Sequence, residues 1–136
     1  MGEWEALFAN DPDNDYALIM EFWFGDEQIG VVRDGKEGLS VDLYGTGSEP
    51  VVIPLAWLID RLVAAQESNS SPNKIHRSEI HYSGITVARI EGFVGDLVVY
   101  LYGSGRKAVL VSFEWLLGRL VVAREDLLKA RAIDYS

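Results

Sequence analysis

An α+β fold built from one duplicated unit, strands first and a helix last, is what the sequence predicts. Three observations carry this: strand-like runs arrive in groups separated by tight turns, a helix-period run closes each group, and the two groups align with one another. Sliding the chain by 58 positions lays residues 43–67 over 101–125 with 12 of 25 positions identical. The identities include Leu43/Leu101, Tyr44/Tyr102, Gly45/Gly103, Gly47/Gly105, Trp57/Trp115, Arg61/Arg119 and Leu62/Leu120. Two copies are too few for a solenoid, so the halves are expected to complete one core. The reading is a single domain over 1–136, with repeat one at about 16–68 and repeat two at about 75–131. The polar, proline-punctuated stretch 68–74 joins them.

In the first copy, residues 17–24, 28–33 and 39–44 are rich in β-branched and aromatic side chains. Gly25-Asp26-Glu27 and the run 34–38 separate them as turns. A short strand at 51–53 follows, and Pro54 opens a helix, because proline at the first helical position gives up only an N–H that would be unpaired. At the aligned position the second copy has Ser112, whose hydroxyl can cap the following amides. Its strands are expected at 80–82, 86–90, 97–102 and 108–111. Leu55, Leu58, Leu62 and Ala65 recur at helical spacing, as do Phe113, Leu116, Leu117, Leu120 and Leu127. The result is six to eight antiparallel strands, in one sheet or two curved halves, with both helices on the apolar face. Trp57 and Trp115 are expected in the core near a pseudo-two-fold axis. The stretch 4–8 reads as a short helix folded over the first strands.

Of the 136 residues, 49% are hydrophobic and none is cysteine, so a self-sufficient core is expected without disulfides or thiolate sites. With no long apolar run and an acidic start, the expected compartment is the cytosol. The net charge is −9, and residues 1–68 hold three bases against fourteen acids, whereas 69–136 hold nine against seven. Such a balance argues against nucleic acid or anionic membrane as partner, since both require clustered lysine and arginine.

The chemistry-bearing motifs are incomplete. Asp11, Asp13 and Asp15 alternate as in a calcium loop, but the sixth and twelfth positions are Tyr16 and Phe22 where glycine and glutamate are needed. His76 and His81 lack convergent metal ligands. The Gly-x-Gly turns at 45–47 and 103–105 do not continue into a phosphate-binding loop. No nucleophile stands beside a base. The expectation is a protein without catalytic residues, metal or cofactor.

What remains is the run Glu21-Phe22-Trp23-Phe24, which cannot bury every aromatic on one side of a strand. With Leu18, Met20, Phe22 and Phe24 inward, Ala17, Ile19, Glu21 and Trp23 face outward among acids. Asp11, Asp13, Asp15, Glu21, Trp23, Asp26, Glu27, Asp34 and Glu37 are the candidate partner-binding residues: an aromatic anchor ringed by carboxylates, suited to a basic protein. In this acidic cluster and Trp23, within the first third of the chain, the protein resembles bacterial toxin-immunity proteins, including those of contact-dependent growth inhibition. The resemblance implies a stoichiometric inhibitor that covers the basic surface of a toxin domain such as a nuclease. The second reading is a domain that binds a small ligand between the repeats, or pairs with a second copy through a strand edge.

Overall fold

The structure is a computed structural model and describes residues 4–12, 17–35, 38–44, 49–68, 74–93, 95–102 and 108–134. Among these residues nine strands and two helices follow in the order β1 (Trp4–Asp11), β2 (Ala17–Phe24), β3 (Glu27–Gly35), β4 (Gly38–Leu43), β5 (Val51–Pro54), α1 (Leu55–Ser68), β6 (His76–Tyr82), β7 (Ile85–Phe93), β8 (Asp96–Leu101), β9 (Val109–Ser112) and α2 (Phe113–Asp134). They form an α+β domain of two antiparallel meanders, a five-stranded sheet β1–β5 and a four-stranded sheet β6–β9.

Strand β1, one more than the expected eight, lies where a short helix is expected. Residues 4–11 pair with β2 along their whole length, from Trp4 opposite Phe24 to Asp11 opposite Ala17. The helix-like spacing of Trp4, Leu7 and Phe8 loses to the backbone hydrogen bonds that the edge of β2 offers. Leu7 and Phe8 consequently remain exposed. Other elements fall close to their expected bounds, with β6 starting four residues earlier, at His76.

Equivalent features recur 58 residues apart. The ladder β2–β3 shifts register between Phe22 and Trp23, and β6–β7 shifts between Ile80 and His81. The Tyr44 amide donates to the Ile29 carbonyl, as the Tyr102 amide donates to that of Val87, both at 2.9 Å. The Ser112 hydroxyl accepts from the Trp115 amide at 3.3 Å, the expected cap of α2.

The core lies between the apolar sheet faces and the helices. Leu55, Leu58 and Leu62 of α1 and Phe113, Leu116 and Leu120 of α2 are all at most 3% exposed and belong to one cluster with Met20, Val32, Val41, Ile90 and Val99. The helices touch each other; α1 packs on β4 and β5, and α2 packs on strands of both sheets. One flank residue per helix enters an aromatic group. Trp115 packs against Trp4 and Phe22, with ring centroids 6.0 and 5.9 Å away. Trp57 packs against Tyr82 at 5.0 Å. The two indoles therefore occupy separate aromatic groups at the first strands of opposite sheets. Their positions explain this: each stands one residue before the leucine stripe, about 100° around the helix.

The core between the helices and the sheets is tightly filled. A void among Phe22, Val41, Leu58, Leu101, Leu116 and Leu120 measures about 10 Å³, at the lower limit for a single water. Among the described residues no helix is long and apolar enough to cross a membrane.

Candidate functional site

Alternation along β2 determines the face that Trp23 presents. Met20 and Phe22 are buried in the core, so Glu21 and Trp23 point to the outer face of the five-stranded sheet. Glu5 of β1 lies directly opposite Trp23, and Leu7 opposite Glu21. On the other side Gln28 pairs with Trp23, and its Nε2 donates to Glu21 Oε2 at 3.1 Å. The exposed turn residues Asp26 and Glu27 follow at the hairpin tip. Trp23 is half-buried, with an indole N–H that is shielded from solvent and has no acceptor among the described residues. A hydrophobic surface edged by Glu5, Glu21, Asp26 and Glu27 results.

The expected acidic ring is thus split. Glu21, Trp23, Asp26 and Glu27 come together, whereas Asp34 lies at the far end of β3, half-buried and engaged within the chain. Asp11 departs from its expected role as an exposed contact: it is 7% exposed, with Oδ2 3.3 Å from Arg33 Nη1. Arg33 Nε lies 2.9 Å from Asp42 Oδ2, so one guanidinium serves two carboxylates. Burial and this pairing leave little of Asp11 at the surface for a partner to touch. Burial pushes the Asp42 carboxyl above its usual value, opposed by the charge and hydrogen bonding of Arg33. Asp13, Asp15 and Glu37 lie outside the described residues.

Glu5 is the contact that sequence reasoning missed. Its signal was present in the alternation of Glu5 with Leu7 on one side and of Trp4 with Ala6 on the other, which the helical reading of the segment hid. Ile19 and Val31 were equally hard to foresee. Both are nearly inaccessible, although strand alternation places them on the outer face.

The strands of this sheet carry six carboxylates against the single cation Arg33. The strands of the other sheet carry three against two arginines. There, Glu91 Oε1 lies 2.9 Å from Arg77 Nε and 3.1 Å from Arg89 Nε, and Arg89 stacks over the Tyr100 ring at 4.6 Å. The imidazoles are engaged locally, His81 Nδ1 with the Thr86 hydroxyl at 2.9 Å and His76 Nε2 with that of Ser78 at 3.1 Å. Among the described residues no group of three histidines or acids is placed to hold a metal. The chain matches no family model, no curated protein and no solved structure.

Proposed function

We propose that the chain is a stoichiometric protein-binding inhibitor of the immunity-protein type, which neutralises a bacterial toxin by covering a basic surface of it with the outer face of β1–β3. The observation that supports this reading is Trp23 on that face with Glu5, Glu21, Asp26 and Glu27 around it, in a sheet whose one strand cation is already engaged by two aspartates. Carboxylates on such a surface can take the positions of nucleic-acid phosphates at a nuclease. They speed encounter through a single-signed field, while the aromatic anchor slows dissociation. No step of this mechanism needs a catalytic group, a metal or a cofactor. The protein acts by occupancy, in the cytosol of a bacterial cell.

The test is a titration with the product of the neighbouring reading frame, purified in an inactive form, at several salt concentrations. Affinity is expected to fall as salt rises. Asp26→Lys and Glu27→Lys are expected to weaken binding by about tenfold each, mainly through slower association, and Trp23→Ala by about thirtyfold, through faster dissociation. Unchanged affinity for a demonstrated partner in all three variants defeats the reading.

A further inference from the structure

The two sheets differ at one edge. In the first, β1 covers the free side of β2, and Trp4 reaches across to the second sheet, its indole N–H donating to the Leu110 carbonyl of β9 at 2.9 Å. β1 therefore stands on the side of β2 that faces β9, with the Trp4 ring against Trp115. Moving every element by 58 residues turns β2 into β6, β9 into β5 and Trp115 into Trp57. At that second place no described strand pairs with the outer edge of β6. A cleft of about 480 Å³ opens there between α1 and β6, lined by Trp57, Arg61, Ala65, Glu79 and His81 among others. A second cleft, of about 460 Å³, lies between Tyr82 at the end of β6 and the strands β4 and β5, including Val52, the counterpart of Leu110. The Arg61 guanidinium sits 5.2 Å from the centre of the Trp57 ring, where Trp4 covers Trp115 in the other half.

We propose that the slot between β5 and β6 binds an extended segment of another polypeptide, which adds to β6 as an antiparallel strand and lays an aromatic side chain against Trp57. The occupied seat in the same molecule shows what fits. An open strand edge offers its unpaired N–H and C=O groups to any chain that can lie alongside, and side-chain pockets then select the sequence. In the register of β1 on β2, the residue placed like Trp4 faces Tyr82, and the next, placed like Glu5, faces His81. An aromatic residue followed by an acid therefore meets an aromatic and an imidazole, with Arg61 beside them; further along, the places of Leu7 and Ala9 face Glu79 and Arg77, the latter paired with Glu91. The partner is thus an aromatic and acidic strand, the chemistry of β1 itself. This site lies at the seam between β5 and β6 and does not depend on the outer acidic face of β1–β3.

The probe is a synthetic peptide with the sequence of Trp4–Asp11, titrated into the full chain by calorimetry and amide-resolved NMR. Shifts are expected along β6 and at the Trp57 indole. Replacing the peptide's tryptophan by alanine, or Trp57→Ala in the protein, is expected to weaken binding by about three- to tenfold. Two peptides N-methylated at alternate residues distinguish strand addition from adhesion, because only one set of donors faces the neighbouring strand. One should lose binding while the other retains it. The proposal is overturned if no binding appears up to about 1 mM peptide, if both methylated peptides bind alike, or if the shifts fall on β2 alone, which would mean exchange with the resident strand.

Discussion

Arg33 of the first sheet and Glu91 of the second stand at equivalent positions, 58 residues apart, with opposite charge. Around Arg33 are two aspartates; around Glu91 are two arginines. The inward positions tell the opposite story, for Val41 and Val99, Ile53 and Val111, and Leu62 and Leu120 are apolar pairs at most 2% exposed. Each strand divides its labour between its two faces. The inner residues of the alternation must fill a shared core, while the outer ones need only be compatible with their cross-strand neighbours, so one scaffold carries a strongly acidic sheet and a nearly balanced one.

Removing Arg33 and Glu91 in turn tests this contrast. Arg33→Met leaves Asp11 and Asp42 as neighbouring carboxylates with side chains only 10% exposed, and is expected to cost about 2 kcal/mol in urea unfolding, below the full effect for a buried pair because Arg33 itself is partly solvated. Next comes the edge strand. Trp4→Ala loses the ring contact with Trp115 and the bond to Leu110 and should cost about 1.5 kcal/mol. On the second sheet Glu91→Gln should cost under about 1 kcal/mol, since Arg77 is largely in solvent. Equal losses for Arg33→Met and Glu91→Gln would show that the two ion clusters are energetically alike. The smallest expected effect is in pH dependence. Burial raises the Asp42 carboxyl, so the folded state holds its proton more tightly than the unfolded one. Its stabilising contribution is present below the usual value of 3.8 and fades as pH climbs through the raised value. Asp42→Asn should therefore gain ground on the parent as pH rises, in unfolding measured at acid and neutral pH; a constant difference would show that Asp42 does not titrate in that way.

How far the fold was legible follows the same division. Strands such as β2 and β8 and both helices could be placed because their burial pattern is local, an alternation or a leucine stripe visible in one stretch of chain. Strand β1 could not, because its segment buries little: Trp4, Leu7 and Phe8 are each at least 39% exposed, and an edge strand is fixed by the neighbour it pairs with. The same holds for the site. Glu21 and Trp23 share a face by parity, and Asp26 and Glu27 follow at the turn, all within eight residues. That Asp11 turns to Arg33, 22 positions away, depends on sheet order. No spacing along the chain encodes it.

The filled interior bears on how this protein meets other molecules. With a void of only about 10 Å³ among the described core residues that line it, the helices have little slack in which to slide, and close-packed interiors resist gradual deformation. Association would then proceed as the docking of preshaped bodies, its entropic cost confined to side chains at the contact. Free and complexed forms should superpose along their backbones, making the isolated fold a sound template for fitting whatever it meets.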